Sequence, residues 1–267
     1  MRITIALSAA TAVLAGAATV AAGPAAAASG ASALPRCPLV FGHGGYPEGT
    51  NGWAKDQMRQ PNNPRGLNDQ KSWGADGVEA DVQLTKEGTK AVMWHNTTTH
   101  GLTGPQQKIT DIWWTYGSGN LAARRITRGP YRGERVYTLR QWLDYARGLG
   151  LIALLEIKPE TKAVLANPKY AAQGWKEISD PIRERQGRQR IMVYSQDPWI
   201  QSQLAKRFPG MLKGSAAQWT DSVHWTEPAP FWKGNVARWQ AVLSKSPGSV
   251  MTNYTKEYRA WLRGKCR

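Results

Sequence analysis

The chain has 267 residues, a formal net charge of +16 at pH 7 and a pI of about 10.1. Apolar residues make up 41% and charged residues 20% of the chain. This balance excludes a disordered or fibrous protein, and the length suffices for one large domain with its own core.

The positive charge favours polyanionic partners, such as anionic lipid or cell-wall polymer surfaces and nucleic acid. We do not expect nucleic acid, because the sequence has no zinc-finger spacing, no RNP-like aromatic motif and no concentrated basic tail.

The first 28 residues have the pattern of a secretory signal peptide. Arg2 is followed by an apolar run over 3–20 and by a tract of small residues that ends near Ala28. We therefore expect cleavage near Ala28 and a secreted, extracellular protein in which 29–36 form a flexible lead-in. The apolar run is too short and too rich in alanine and glycine for a spanning helix, and no other segment is suited to cross a membrane.

The two cysteines lie at opposite ends of the chain that remains after cleavage, at Cys37 and Cys266. An exported protein meets an oxidising compartment, which favours a disulfide between them over two free thiols. Because a disulfide requires Cα atoms within about 7 Å of each other, this bond predicts a closed architecture in which the first and last strands pair.

Short apolar strands alternate with amphipathic helices along the rest of the chain. Strands are predicted at 38–42, 77–84, 91–94, 151–157, 190–194, 211–213, 223–226 and 249–253. Helices are predicted at 139–148, 170–186, 198–208, 235–245 and 255–263, the first of them with Thr138 as N-cap. Gly, Pro and Asn predict a long loop over 44–68, and the lack of a clean period over 96–136 predicts an excursion or small insertion.

This alternation is typical of parallel strands joined by right-handed helical crossovers. About eight strands fit an α/β fold of the (β/α)8 or TIM barrel type. We expect one such domain over 37–267, monomeric and irregular in its later helices, with the insertion around 96–136. In these barrels the chemistry takes place at the carboxyl ends of the strands.

Polar side chains collect at those strand ends: His43, Glu79, Asp81, His95, Glu156 and Lys158. Glu79 and Asp81 are two residues apart on one strand and so point to the same face, where they repel each other unless a cation lies between them. Glu156 supplies a third oxygen donor. Hard oxygen ligands without a Cys/His cluster favour Mg²⁺ or Ca²⁺ over zinc.

The histidines and the lysine suit chemistry at phosphorus. Two imidazoles such as His43 and His95 can take one proton and deliver another across a reacting centre. Lys158, two residues beyond Glu156, can neutralise a phosphate oxygen as charge builds in the transition state. The alternative reading is structural: a Glu-x-Asp pair can be a solvated strand face, and a lone histidine is often only a hydrogen-bonding residue.

Several motifs recur together between about 38 and 262: Gly42-His43-Gly44-Gly45 with Pro47-Glu48, Gly74-Ala75-Asp76-Gly77-Val78-Glu79-Ala80-Asp81-Val82-Gln83-Leu84-Thr85, His95, Tyr137-Thr138-Leu139, Leu155-Glu156-Ile157-Lys158, Ser195 with Asp197-Pro198, and Val250-Met251-Thr252-Asn253-Tyr254. In this combination the chain resembles the glycerophosphodiester phosphodiesterase family. The resemblance implies a (β/α)8 barrel that hydrolyses phosphodiesters with a divalent metal.

The resemblance also implies roles for the residues of the site. His43 and His95 become the general base and general acid, and Lys158 becomes a phosphate contact. The implied metal ligands are Glu79, Asp81 and Glu156. Glu48 is a weaker candidate, because Pro47-Glu48-Gly49 stands where the family usually has Pro-Glu-Asn.

Two departures concern the substrate more than the reaction class. Gly44 stands where the family usually has Arg, and Asn96 stands where an Asp usually follows the second histidine. A related barrel group of the phospholipase D and sphingomyelinase D type lacks the same arginine and is the nearest alternative. An alternative of another class is a non-catalytic binding protein for anionic wall polymer or lipid.

Overall fold

A computed structural model of the protein describes residues 36–45, 60–209, 223–226 and 235–267. These residues all belong to one compact unit that spans Leu34–Arg267. The expected signal peptide, most of the lead-in, Glu48 and the predicted strand over 211–213 lie outside the described residues. No helix in the described ranges is both long enough and apolar enough to span a bilayer.

The fold is α/β and is built on one mostly parallel sheet. Within the described residues its seven strands are β1 (Leu39–Gly42), β2 (Gly77–Leu84), β3 (Ala91–Met93), β4 (Ile152–Ile157), β5 (Ile191–Tyr194), β6 (Val223–Trp225) and β7 (Ser249–Thr252). The order β5-β4-β2-β1-β7-β6 has parallel neighbours throughout, and β3 pairs with β2 outside this path. The predicted α/β class is confirmed. Over the part of the chain that the structure covers, the sheet is open between β5 and β6 and does not form a closed barrel.

Strand β3 differs from the prediction. It runs antiparallel to β2, with Met93 opposite Val82 and Ala91 opposite Leu84. The connection over 85–90 is a hairpin loop, much shorter than the dozen or so residues that a parallel crossover requires. The prediction that 91–94 is one of the parallel strands is therefore wrong, and the hairpin instead returns the chain to the level of Asp81.

The α-helices of the described residues are α1 (Gly66–Ser72), α2 (Leu139–Gly148), α3 (Lys162–Leu165), α4 (Ala171–Arg183), α5 (Pro198–Arg207), α6 (Val236–Leu243) and α7 (Thr255–Leu262). Thr138 caps α2 as predicted: its hydroxyl accepts from the backbone N–H of Gln141 at 3.2 Å, and the Gln141 side chain accepts from the Thr138 N–H at 3.0 Å. Such a box satisfies two N–H groups that the helix itself leaves unpaired.

The apolar side of β2 decides which way its carboxylates face. Val78, Ala80, Val82 and Leu84 are buried in the largest core cluster, together with apolar residues of α2 and α4. Because side chains alternate along a strand, the residues between them are directed to the opposite face of the sheet. The insertion packs against β3 and the residue after it in a second, smaller core cluster, made of Val92, Trp94, Leu102, Ile109, Ile112, Leu121, Ile126, Tyr131 and Val136.

The two ends of the chain meet, as the cysteines predict. Strands β1 and β7 pair in parallel along their whole length, and the backbone N–H of Cys37 donates to the carbonyl of Arg267 at 2.8 Å. Cys37 and Cys266 form a disulfide with their Cα atoms 4.9 Å apart. The first and last strands are thus held together by both a hydrogen-bonded ladder and a covalent bond.

We expect no reactive thiol in the unreduced, denatured protein. The loop closed by this bond is 229 residues long, for which the chain-entropy model gives about 5 kcal/mol of stabilisation. The double variant Cys37→Ser, Cys266→Ser should therefore unfold at a temperature lower by roughly 10–20 °C. Titration with a thiol reagent and a thermal scan measure both quantities, and two reactive thiols in the wild-type protein would contradict the expectation.

Candidate active site

Strand register brings three carboxylates together on the inner face of the sheet. Asp81 lies directly opposite Glu156 in the parallel pair of β2 and β4, and Glu79 precedes Asp81 by two residues on the same face. Each of the three offers an oxygen, and these oxygens lie within 4.8 Å of one another. All three side chains are buried.

Lys158 completes this carboxylate cluster with a positive charge. Its Nζ lies 3.3 Å from Asp81 Oδ1 and 3.3 Å from Glu156 Oε1, and its side chain is only 12% exposed. Three carboxylates and one ammonium leave a formal charge of −2 in a buried site. Burial alone would lower the pKa of Lys158, but the attraction of Asp81 and Glu156 outweighs it and raises that pKa.

Neutral donors hold the remaining carboxylate oxygens. The N–H of Gly44 donates to Glu79 Oε2 at 3.0 Å, and the amide of Asn62 donates to Asp81 Oδ2 at 3.1 Å. The hydroxyl of Tyr194 lies 3.4 Å from Glu79 Oε1 and 3.3 Å from Glu156 Oε2, so its single proton is shared between two acceptors. The cluster is fixed in place before any ligand arrives.

Burial and negative charge both act on the titratable groups of the cluster. Burial, followed by the negative charge of Asp81, raises the pKa of Glu156 despite the opposing effect of Lys158. Burial and the carboxylates around it raise the pKa of Tyr194 well above its usual range, so this hydroxyl stays protonated and remains a donor.

The donor set fits a divalent cation. Three buried carboxylates are hard oxygen ligands of the kind that Mg²⁺ and Ca²⁺ take, and a formal charge of −2 matches a doubly charged ion. Glu156 Oε1 has no hydrogen bond within the described chain, and its contact there is the Lys158 ammonium. Glu79, Asp81 and Glu156 are the residues that would hold the ion.

His43 lies beside this cluster at the end of β1. The backbone N–H of His43 donates to the carbonyl of Thr252 at 3.0 Å, which continues the β1–β7 ladder by one residue. Nδ1 lies 2.8 Å from Asn253 Oδ1, and Nε2 lies 3.8 Å from Glu79 Oε2. With Asn253 as the acceptor, Nδ1 carries the proton and Nε2 of the neutral ring has a lone pair on the side of the cluster. The indole of Trp225 contacts the ring edge-on, with centroids 4.5 Å apart.

His95 lies shortly after β3. The hairpin of β2 and β3 returns the chain to the level of Asp81, where the backbone N–H of Trp94 donates to the Asp81 carbonyl at 3.0 Å. The backbone N–H of His95 donates to the carbonyl of Gln60 at 2.7 Å. Nδ1 is hydrogen-bonded to Asn96 Oδ1. An amide thus supports the ring where the family usually has a carboxylate.

The structure assembles most of the residues chosen from the sequence, and it adds others. Glu79, Asp81 and Glu156 lie within 4.8 Å of one another, Lys158 contacts Asp81 and Glu156, and His43 lies 3.8 Å from Glu79. Sequence reasoning missed Tyr194, Asn253 and Asn62, since each lies in an otherwise apolar strand or in a loop. The strand register is the feature that identifies Tyr194: this residue lies opposite Glu156 in the parallel pair of β4 and β5.

Comparison with known proteins identifies the family. The family model for the glycerophosphoryl diester phosphodiesterase family matches residues 67–253. The chain belongs to this family. A phosphodiesterase of this type is an enzyme that hydrolyses phosphoric diesters, and the prediction of such an enzyme is confirmed at the level of the family.

Solved structures of the family have a similar fold. A glycerophosphodiester phosphodiesterase from Agrobacterium tumefaciens aligns with a TM-score of 0.53 at 13% identity and covers 84% of this chain and 100% of its own. One from Thermotoga maritima gives 0.51 at 18% identity, with 85% and 99% covered. The corresponding domain of a Mycobacterium tuberculosis protein gives 0.53 at 12%, with 84% and 98% covered. No curated protein matches the chain.

The cluster should bind a divalent cation, and each carboxylate should contribute. At a concentration of Mg²⁺ or Ca²⁺ about 100 times the dissociation constant, binding should raise the unfolding temperature by roughly 5–10 °C. Glu79→Gln, Asp81→Asn and Glu156→Gln should each lose most of this shift. The metal-free variants should be at least as stable as the wild type, because one of three repelling charges is gone.

Differential scanning fluorimetry with and without chelator measures both effects. Asp111→Asn is the matched control, since Asp111 is an exposed carboxylate in the insertion and its loss should leave the metal-induced shift intact. Wild-type shifts in all three cluster variants would show that the cation binds elsewhere.

Proposed function

We propose that the protein is a secreted, metal-dependent phosphodiesterase that hydrolyses glycerophosphodiesters or related phospholipid or polymer diesters by acid–base catalysis with two histidines. One observation carries the proposal: in a member of this family, the buried cluster of Glu79, Asp81 and Glu156 lies in contact with Lys158 and beside His43. A charge of −2 next to an imidazole is suited to a cation and a phosphate, and unsuited to a purely structural core.

The carboxylates are proposed to hold a divalent cation, Mg²⁺ or Ca²⁺. When bound, such an ion neutralises charge on the phosphate and lowers the pKa of a coordinated hydroxyl. Lys158 is proposed to contact the phosphate. Its ammonium is held in the site by Asp81 and Glu156, and as a fixed cation it stabilises the oxygens on which charge develops in the transition state.

His43 is proposed as the general base. Asn253 fixes its tautomer, which leaves Nε2 with a lone pair directed to the side of Glu79. Nε2 takes the proton of the attacking hydroxyl as the oxygen of that hydroxyl forms its bond to phosphorus. The hydroxyl belongs either to the glycerol next to the ester, which gives a cyclic phosphate, or to water. Glu79 then lies close enough to stabilise the imidazolium.

His95 is proposed as the general acid. It gives its proton to the oxygen of the leaving alcohol as the bond from that oxygen to phosphorus breaks, so that one proton is taken and one is delivered in each turnover. Asn96 accepts from Nδ1 and orients the ring. Because this support is an amide, it holds the ring without the extra negative charge that an Asp would add.

The closed (β/α)8 barrel belongs to the same proposal. The likeness to solved enzymes of the family supports it, as does the pairing of β1 with β7. Closure requires a bridge between β5 and β6, and the chain between these two strands contains the predicted strand over 211–213. Since β3 is not one of the parallel strands, the six that the structure describes and this predicted one make seven, so the proposed closure with eight requires one further strand.

Secretion, a monomeric state and an anionic lipid or wall-polymer surface as partner are also proposed. The expected signal peptide supports secretion, and the net charge of +16 supports the anionic surface. The insertion supports the anionic surface as well, because it exposes arginines and an aromatic ring. Tyr116 there is 74% exposed, and Arg125, Arg128, Arg132 and Arg135 are exposed too.

A panel of diesters with and without chelator tests the activity. We expect release of alcohol from glycerophosphocholine or glycerophosphoglycerol, loss of this release with EDTA, and recovery with Mg²⁺ or Ca²⁺. Release from sphingomyelin or lysophosphatidylcholine alone would favour the phospholipase D alternative. Binding of lipid or wall polymer by the folded protein without any turnover would favour the non-catalytic alternative.

The histidines should separate catalysis from binding. His43→Ala and His95→Ala should each lower kcat by about 10²–10⁴, the usual contribution of a positioned acid or base. Substrate affinity should change little, because the carboxylate-bound ion and Lys158 carry most of the attraction for phosphate. The double variant should lose less than the product of the two effects, since groups that act as a unit are not additive.

Steady-state kinetics on the single and double variants measure these effects. His100→Ala is a suitable control, because His100 lies on an exposed turn of the insertion and should not affect kcat. Wild-type turnover in both single variants would mean that His43 and His95 are structural residues.

A further inference from the structure

The turn before α1 brings an amide to the carboxylate cluster. Asn62 is only 2% exposed, and its Nδ2 donates to Asp81 Oδ2 at 3.1 Å. Its backbone has φ of +40°, in the left-handed region that asparagine tolerates better than most residues. Backbone held in this region is concentrated at functional sites.

The contact with Asp81 fixes the orientation of the amide. A carboxylate accepts hydrogen bonds and does not donate them, so the nitrogen faces Asp81 and the oxygen points elsewhere. That oxygen, Asn62 Oδ1, is buried and makes no hydrogen bond within the part of the chain that the structure describes. Leaving a buried acceptor without a donor costs about 1–3 kcal/mol, and such atoms call for an explanation.

The position of this oxygen allows it to share a cation with Asp81. The bonds of one amide keep its oxygen and nitrogen about 2.3 Å apart, so Asn62 Oδ1 lies within about 5.4 Å of Asp81 Oδ2. Oxygens on opposite sides of one Ca²⁺ are about 5 Å apart, and neighbouring ligands are closer. Mg²⁺ and Ca²⁺ also take more than three oxygen ligands, so three carboxylates that each contribute one oxygen do not complete the coordination.

Charge favours a neutral ligand over a fourth carboxylate. Glu79, Asp81 and Glu156 with Lys158 already have a formal charge of −2, which balances one divalent ion. An amide oxygen adds a donor without adding charge to a buried site. We propose that Asn62 Oδ1 is a further, neutral ligand of the divalent cation held by the carboxylate cluster. This inference rests on the metal site of the proposed function.

Two substitutions at Asn62 separate a ligand from a residue that only holds Asp81. Asn62→Ala removes both the oxygen and the N–H donor, and it should weaken binding of Mg²⁺ or Ca²⁺ by about 10–100-fold. Asn62→Asp loses the donor but keeps an oxygen in place. It should therefore bind the cation at least ten times more tightly than Asn62→Ala, although repulsion from Asp81 makes its metal-free form less stable.

Asn63→Ala is the matched control. Asn63 lies in the same turn and is 3% exposed, but its amide donates to Glu134 Oε2 at 2.7 Å, away from the cluster. Calorimetric titration of the full chain with MgCl₂ and CaCl₂, in the absence of substrate, gives the dissociation constants. Asn63→Ala should bind within about threefold of the wild type.

Three results would overturn the proposal: wild-type affinity in Asn62→Ala, affinity in Asn62→Asp no better than in Asn62→Ala, or equal loss in Asn63→Ala. If Asn62→Ala does not fold, Asn62→Asp is compared with the wild type alone. Affinity within threefold or tighter then supports the proposal, and a tenfold loss opposes it. A wild-type protein that binds neither ion would instead refute the metal dependence of the proposed function, which is a different failure.

Discussion

Repulsion among three buried carboxylates is the constraint on which the rest of the site depends. Two like charges 4.8 Å apart repel by about 3.5 kcal/mol even at an effective dielectric constant of 20, and Glu79, Asp81 and Glu156 form three pairs with oxygens within that distance. The sum is of the order of the whole free energy of unfolding of a typical domain. Lys158 and the N–H of Gly44 reduce this repulsion, and burial, followed by the negative charge of Asp81, still raises the pKa of Glu156. A divalent cation between the carboxylates would relieve this repulsion, as would a proton on one of them, and the metal of the proposed function is the first of these two solutions.

The fold holds these charges in place through backbone pairing and not through the charged groups themselves. The register of β2 and β4 sets Asp81 against Glu156, and the apolar face of β2 prevents the strand from turning over. On the other side, the β1–β7 ladder positions His43 against Asn253, and the disulfide of Cys37 with Cys266 secures the ends of that ladder. The same pair of strands therefore holds the ends of the described chain together and positions the histidine that we propose as the general base.

Much of this arrangement follows from local sequence patterns, and the rest depends on contacts that such patterns do not encode. Alternation places Glu79 and Asp81 on one face, and Thr138 marks the start of α2 because its capping box is a local interaction. The direction of β3 is not visible in Ala91 to Met93, because an apolar run reads the same in both directions; the short connection over 85–90 was the available signal. Helix α1 is not predicted by the sequence: its first three residues fall in the predicted loop over 44–68, and its single large apolar side chain, Leu67, gives no helical period.

Gly44 affects how the negative charge of the proposed phosphodiester substrate is neutralised. Its φ of +66° and its N–H to Glu79 Oε2 use a backbone conformation that costs most other residues about 1–2 kcal/mol. An arginine at this position, as the family usually has, would have to bear that strain or give up the hydrogen bond that steadies Glu79. With glycine, the backbone serves the carboxylate cluster and no side-chain cation arises from this position. On the proposed function, neutralisation of the phosphate then falls to Lys158 and the bound ion. The departure from the family therefore concerns how the substrate's charge is balanced, while the proton transfers proposed for His43 and His95 need no change.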